Sequence, residues 1–254
     1  YSRFMPIVNP KVKIHALITR PEKQGRVLAQ KCLSQNIEPF VQPMFEYRKN
    51  CSKEDIFRAL QPKSPDTLIF VSVAAVELAN KIHPLGYWSF NEVIAVGNAT
   101  QSALERLGIK AITPELHTSE GLLLLTSLQS IKDKEIIIVR GNGGRELIEE
   151  TLTIRGANVQ YLEVYKRLAI ALPSSTALDW KKQKINCIVI TSNALLESVV
   201  NLIDVCDNYW RKTCLWVVAS HRIAKSARAL GIENVVDAKG AHDEAILTAI
   251  TQNG

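Results

Sequence analysis

LITRPEKQGRVLAQKCLSQNIEPFVQPMFEYRK, residues Leu17 to Lys49, can be laid on IIVRGNGGRELIEETLTIRGANVQYLEVYKR, residues Ile137 to Arg167. In that overlay Arg20 falls on Arg140 and Phe45 on Tyr165, each pair 120 positions apart. IFVSVAAVELAN from Ile69 matches IVITSNALLESVVN from Ile188 at the same spacing, with Ser72 on Ser192. VIAVGNATQSALERLGI from Val93 matches WVVASHRIAKSARALGI from Trp216, where Gly97 meets Ser220 and Gly108 meets Gly231 at a spacing of 123. Three blocks matched in the same order indicate a duplicated domain, since two copies are too few for a solenoid.

Working outward, short apolar β-branched runs alternate with amphipathic helical patterns. The strands expected are His15 to Thr19, Pro39 to Pro43, Leu68 to Val71, Val93 to Val96, Glu135 to Val139, Val159 to Val164, Cys187 to Ile190 and Leu215 to Val218. Helical spacing covers Glu22 to Gln35, Ala74 to Ile82, Thr100 to Leu107, Ser119 to Leu128, Arg145 to Ile154, Ala194 to Ile203, Ile223 to Leu230 and Asp243 to Thr251. Strands and helices alternating at this interval give the α/β class, with parallel sheets covered by helices on both faces.

The 254 residues suffice for two domains, and 46% hydrophobic with 22% charged residues is ordinary globular composition. The net charge of +6 and pI near 9.0 come from basic residues spread along the chain. Without a block of like charge, a basic surface that attracts a small polyanion is expected, rather than a nucleic-acid partner. Five cysteines, Cys32, Cys51, Cys187, Cys206 and Cys214, are odd in number and form no C-x-x-C pair, which suits a reducing cytosol. Tyr1 to Lys13 is polar and broken by proline, unlike a signal peptide, and no apolar run reaches spanning length. The expectation is a cytoplasmic protein with no membrane partner.

Ligands of open parallel sheets bind past the carboxyl ends of strands. Polar residues collect there: Thr19-Arg20, Ser72, Gly97-Asn98-Ala99-Thr100, Arg140-Gly141-Asn142-Gly143, Thr191-Ser192-Asn193 and Ser220-His221-Arg222. Each cluster also stands where a helix begins, so capping by Ser, Thr and Asn is the competing explanation for any one of them. Free N–H groups and the positive dipole end at helix starts suit carboxylates or phosphates. The run Arg140-Gly-Asn-Gly-Gly-Arg145 invites a dinucleotide interpretation, with Glu163 twenty positions past Gly143. Glu146 takes the place of the third glycine, however, and no G-K-[ST] ending follows. The five histidines show no metal-ligand spacing, and no G-x-S-x-G elbow is present, so neither a metal nor an organic cofactor is expected. Tyr165 closes a strand ahead of Lys166-Arg167, and it serves either as a packing aromatic or as a functional phenol.

Taken together, the blocks resemble the uroporphyrinogen-III synthase family. The resemblance rests on Thr19-Arg20-Pro21, Ile69-Phe-Val-Ser72 with Ala74-Ala-Val76, Ala95-Val-Gly-Asn-Ala-Thr100, Thr118-Ser-Glu-Gly-Leu122, Arg140-Gly-x-Gly-Gly-Arg145, Tyr165-Lys-Arg167 and Ile190-Thr-Ser192. These blocks run from Leu17 to about Leu247. The family's last block commonly reads glycine-x-threonine-threonine; here it is Ala219-Ser-His-Arg222, so Ser220 and Arg222 would stand in for the threonines. The resemblance implies two similar flavodoxin-like domains joined by a two-strand linker. One would hold residues 11–42 and 168–254 and the other 45–165, with crossings near 43–47 and 163–167. It places the strand His15 to Thr19 beside Cys187 to Ile190 rather than beside Leu68 to Val71.

It also implies action without cofactor on hydroxymethylbilane, a linear tetrapyrrole with eight carboxylates; a monomer is expected. The implied lyase reaction removes water from the hydroxymethyl group, inverts the last pyrrole ring and closes the macrocycle. Tyr165 matches the family tyrosine thought to assist departure of the hydroxyl. The strand-end residues Thr19, Arg20, Ser72, Gly97, Asn98, Thr100, Arg140, Gly141, Gly143, Thr191, Ser192, Asn193, Ser220, His221 and Arg222 would bind substrate. A two-domain small-anion binding protein and a nucleotide-dependent α/β enzyme remain the alternatives.

Overall fold

The computed structural model describes residues 13–61, 63–144 and 146–254, so Lys11 and Arg145 lie outside the described residues. The chain opens with β1 (His15–Ile18), α1 (Glu22–Leu33), β2 (Glu38–Val41) and β3 (Phe45–Lys49). It continues with α2 (Lys53–Ala59), β4 (Thr67–Phe70), α3 (Val73–Ile82), β5 (Glu92–Ala95), α4 (Asn98–Glu105) and α5 (Ser119–Leu122). Next come β6 (Glu135–Gly141), α6 (Leu147–Ile154), β7 (Asn158–Ala169), α7 (Thr176–Lys182) and β8 (Cys187–Ile190). The last elements are α8 (Asn193–Val200), β9 (Leu215–Val218), α9 (His221–Ala229), β10 (Val235–Asp237) and α10 (Asp243–Asn253).

These elements fall into two compact units, one of residues up to Glu46 together with Ala169–Gly254, the other Tyr47–Leu168. The first carries a sheet in the order β10-β9-β8-β1-β2, the second a sheet in the order β3-β7-β6-β4-β5. Pairings β1–β2, β1–β8, β8–β9 and β9–β10 are parallel, as are β4–β5, β4–β6 and β6–β7. The first strand therefore lies against β8, with Leu17 opposite Ile188, as the family resemblance requires.

The pattern of side chains explains why these runs become central strands. Strands β4, β8 and β9 are buried at every position, as a parallel sheet covered on both faces demands. Alternate residues feed opposite cores. Leu17, Ile188, Ile190, Trp216 and Val218 enter one cluster of the first unit, while Ala16, Ile18, Cys187, Val189 and Val217 enter the other. In the second unit Leu68, Phe70, Ile137 and Val139 face one cluster and Ile69, Ile136 and Ile138 the other. Truncating one of these fully buried aliphatics to alanine would cost about 2–5 kcal/mol.

Several elements differ from their sequence-based expectation. The helix expected over Ser119 to Leu128 stops at Leu122 and resumes only as a single tight turn at Thr126–Leu128, because Leu125 is extended (φ −57°, ψ 134°). The strand expected to end at Val164 runs on to Ala169. Strand β3, helices α2 and α7 and the short β10 had no strong periodic signal. Of these α2 does carry a legible start, a capping box in which Ser52 and Asp55 each bond the other's backbone N–H. Among the described residues no helix is long and apolar enough to cross a membrane.

Candidate functional site

In the second unit, a cavity of about 490 Å³ opens at the carboxyl ends of β4, β5, β6 and β7. Its polar lining comes from Tyr47, Ser119, Arg140, Tyr165 and Arg167 with the backbone of residues 141–144, and Val71, Val96, Ile138, Ile148 and the Tyr161 ring supply apolar walls. The volume is typical of a small-molecule site.

Tyr165 is seated by three neighbours. It stands opposite Gly141 in the β6–β7 ladder, and its ring lies directly over that glycine. A Cβ on Gly141 would come to 2.9 Å from Cδ2 of the ring and closer still to Cε2 and Cζ, so only glycine fits beneath it. Tyr47 on β3 meets the ring edge-on, with centroids 5.0 Å apart and planes at 68°. The Tyr165 hydroxyl lies 3.2 Å from Ser72 Oγ. A register shift between Arg140 and Gly141 inserts one extra residue on β7. Strict alternation would put Tyr165 on the face of Tyr161, yet Tyr165 packs on the cluster of Leu162 and Val164 while Tyr161 packs on the opposite one. Bulges re-aim side chains in this way next to functional sites.

The glycine run has a local explanation that involves no phosphate. Gly141 makes room for Tyr165. Gly143 and Gly144 adopt left-handed backbone (φ +69° and +105°) in the turn that leads into α6. Asn142 ties the turn back to β7, donating its N–H to the Tyr165 carbonyl at 2.8 Å and accepting the Arg167 N–H on its side chain at 3.0 Å. Arg140, only 6% exposed, donates from Nε to the Gly141 carbonyl at 3.0 Å and places its guanidinium 4.5 Å above the Tyr161 ring centroid. Burial pushes the Tyr161 phenol above its ordinary value, and the Arg140 charge opposes that shift. Burial likewise raises the Tyr47 phenol, with the Tyr165 phenol adding to the rise and Arg167 opposing it.

The other expected residues divide by unit. In the second unit, Ser72 caps α3 by accepting the Ala75 N–H at 3.1 Å. Gly97 caps α4 through extended backbone alone, and Asn98 is exposed beside it. Thr100 lies on the inner face of α4, only 5% exposed. In the first unit, Ser192 caps α8 through Leu195 and Ser220 caps α9 through Ile223, the capping role expected of serine at such starts. Thr191 is half-buried, and Asn193 keeps a buried Oδ1 with no hydrogen-bond partner among the described residues; His221 and Arg222 are exposed on the first turn of α9.

Thr19 and Arg20 are a correction. Thr19 is fully buried and donates its hydroxyl to the Val189 carbonyl at 2.7 Å. Arg20 is 7% exposed, pairs with Asp243 at 2.6 Å and donates to the Ala241 carbonyl, so it fastens the β1–α1 loop to the start of α10. Lys31 approaches the other Asp243 oxygen at 2.9 Å. Burial alone would raise the Asp243 carboxyl, but hydrogen bonds from Lys31 and Arg20, with their charges, hold it below its ordinary value. Residue type and strand-end position could not separate this structural arginine from Arg140, because the acid that claims it lies more than two hundred positions away.

Sequence reasoning also passed over Tyr47 and Tyr161 as cavity residues. Tyr161 precedes Tyr165 by four positions on one strand, a spacing that hinted at a shared end; Tyr47 left no such sign. Among the described residues no group of three or more His, Cys, Asp and Glu side chains is arranged to hold a metal ion.

Open parallel sheets with a cavity at the strand ends, lined by phenols and a stacked guanidinium, define the chain as an α/β protein with a pocket of small-molecule size. The comparisons with known proteins narrow it. A family model described as Uroporphyrinogen-III synthase HemD matches residues 26–248. The chain is 33% identical over 242 residues to the uroporphyrinogen-III synthase of Escherichia coli (strain K12), covering 92% of this chain and 98% of that one. It is 32% identical to the Salmonella typhimurium enzyme of the same name at the same coverage. A mutant uroporphyrinogen III synthase from the extremely thermophilic bacterium Thermus thermophilus superposes with a TM-score of 0.62 at 14% identity, over 94% of this chain and 98% of that one. The uroporphyrinogen-III synthetase of Helicobacter pylori 26695 gives 0.60 at 16% identity, over 94% and 99%. These two bear on the fold alone. The chain belongs to the uroporphyrinogen-III synthase family.

Proposed function

We propose that this chain cyclises hydroxymethylbilane to uroporphyrinogen III with loss of water, and that its leaving hydroxyl is met in the cavity beside Tyr165. The observation that carries this assignment is the seat of the phenol: a glycine beneath its ring, an aromatic edge against it, and a serine hydroxyl at its oxygen. The pyrrole nitrogen pushes out the hydroxyl as the C–O bond breaks. The phenol donates toward the departing oxygen, and the folded position of the chain decides which carbon attacks. Arg140 and the exposed amides of the Gly143–Gly144 turn suit carboxylate arms of the substrate. From the remaining strand ends we retain Gly97, Asn98, Thr191, Asn193, His221 and Arg222 as substrate contacts. Neither a nucleotide-dependent enzyme nor a simple anion-binding protein gains support from the relatives or from the glycine run.

The same proposal includes an internal duplication of two flavodoxin-like domains. It is supported by the sheet orders: β2-β1-β8-β9 in one unit and β7-β6-β4-β5 in the other follow the same 2-1-3-4 plan when matched through the sequence repeat. We further place the protein in the cytoplasm as a monomer that binds neither metal nor nucleic acid.

The test is to supply freshly made hydroxymethylbilane and separate the type I and type III products. Wild type should yield type III. Tyr165→Phe should lower kcat by at least about fivefold, the worth of one neutral hydrogen bond, or by about a hundredfold if the donor meets developing charge. Type I product alone from the wild type would defeat the assignment.

A further inference from the structure

Ser72 has two neighbours at its oxygen, and together they decide where the proton of Tyr165 points. Ser72 Oγ accepts the Ala75 N–H at 3.1 Å as the cap of α3, and it lies 3.2 Å from the Tyr165 hydroxyl, a separation at which either group can donate. A serine hydroxyl has one proton and two lone pairs. The Ala75 amide occupies one lone pair. If Tyr165 occupied the second, the phenol's proton would be turned away from the cavity and the proton of the half-buried serine would be left to solvent. With Ser72 donating, both protons are used: the serine's on the phenol oxygen, the phenol's toward the cavity. The ten-residue helix α3 favours this direction. Its positive N-terminal end sits at Ser72, strengthens the serine as a donor and suits negative charge gathering on the neighbouring phenol oxygen.

We propose that Ser72 is a positioning residue for the ring-closing reaction, donating to Tyr165 and so directing the phenol's proton at the leaving hydroxyl. This rests on Tyr165 being the donor proposed above. In the step itself the C–O bond of the hydroxymethyl group breaks with its electron pair on oxygen, and the pyrrole nitrogen's lone pair makes good the deficit at carbon. The phenol's proton passes to the departing oxygen to give water. The proton lost when the attacked pyrrole carbon regains aromaticity restores the phenol. Ser72 and the start of α3 meet the charge on the phenol oxygen in between.

Substitutions at Ser72 that preserve the cap separate this role from a structural one, since Asn, Asp, Ser and Thr are all good caps. Ser72→Thr keeps the hydroxyl. Ser72→Asn keeps an oxygen for Ala75 and brings an N–H₂ donor for Tyr165. Ser72→Asp keeps the cap, but a carboxylate only accepts, so it draws the phenol's proton to itself. At saturating hydroxymethylbilane, Thr should stay within about twofold of wild-type kcat, Asn within several-fold, and Asp should fall to the level of Tyr165→Phe, at least about fivefold. All should melt near the wild-type temperature. Lowering the pH protonates the new carboxyl and gives it a proton to donate, so kcat of the Asp variant should partly recover, a response that Asn and wild type lack. Wild-type kcat in Ser72→Asp, or equal losses in Asp and Asn with no recovery at lower pH, would overturn the proposal. Wild-type kcat in Tyr165→Phe would instead overturn the role of Tyr165 on which it rests.

Discussion

Replacing Gly141 by alanine is the sharpest test of how the Tyr165 phenol is held. The added methyl would lie 2.9 Å from Cδ2 and nearer to two other ring atoms, whereas carbon pairs rest about 3.5–4.0 Å apart. Strand β6 is paired with β4 on one side and β7 on the other, so the ring must give way, by about 1 Å. The bond from Tyr165 to Ser72 already spans 3.2 Å and fails beyond about 3.5 Å. A catalytic group displaced by about 1 Å can cost a hundredfold in rate, while overpacking of this kind costs about 1–3 kcal/mol of stability. Gly141→Ala should therefore lower kcat by about ten- to a hundredfold and melt a few degrees below wild type. More type I product should form from bilane that cyclises unaided. Product chromatography and thermal melts read both effects. In a double-mutant cycle the alanine should add little once Tyr165→Ala has removed the ring. A folded Gly141→Ala enzyme with wild-type kcat, or losses that simply multiply in the double variant, would refute this account of the site.

Three further outcomes follow from other parts of the molecule. Asp243→Asn should destabilise the first unit, and since the native carboxyl is held below its ordinary value, its contribution is complete above about pH 4 and lost as the pH falls through the depressed value. The stability gap between wild type and variant, measured by denaturant melts, should accordingly close in acid. A gap that is constant with pH would argue against the ion pair. Arg140→Ala should raise KM for the bilane by about tenfold. The wild-type KM should rise with salt as charges are screened over about 8–10 Å, and this slope should flatten in the variant. Dialysis against a chelator should leave type III production unchanged, and activity restored by a divalent metal would reveal an unrecognised site.

Much of the fold was legible because buried parallel strands must be continuous apolar runs. Cys187–Ile190 and Leu215–Val218 were expected at the bounds observed, since short apolar runs of this length rich in β-branched residues suit a covered strand better than a helix. What escaped were elements stabilised by their surroundings. Strand β3, FEYRK, is half-polar and lies beside β7, and β10 has three residues held against β9. The bulge on β7 was also invisible, because apolar residues stand next to one another along this strand, Tyr161 beside Leu162 and Val164 beside Tyr165, and such a pattern marks no break in register. Yet that one extra residue is what turns Tyr165 toward Ser72 and away from Tyr161.

The candidate site was legible as a set of positions and less so as a set of roles. Strand ends before helices are where both capping and ligand contact occur, and residue type alone cannot separate them. Ser72, Ser192 and Ser220 share the same extended backbone and the same cap, but of the three only Ser72 has a phenol at its oxygen among the described residues. Arg20 and Arg140, matched by the repeat, diverge for a similar reason. Asp243 and the Ala241 carbonyl consume the first, and the second, stacked on Tyr161, borders a cavity. An overlay of the two halves conveys geometry, because geometry follows from strand order. It does not convey chemistry, which depends on neighbours that each half supplies separately. Chemistry at the carboxyl ends of these sheets must therefore be assigned one strand end at a time, and at β6 and β7 Gly141, the bulge and Ser72 are the neighbours on which the role proposed for Tyr165 rests.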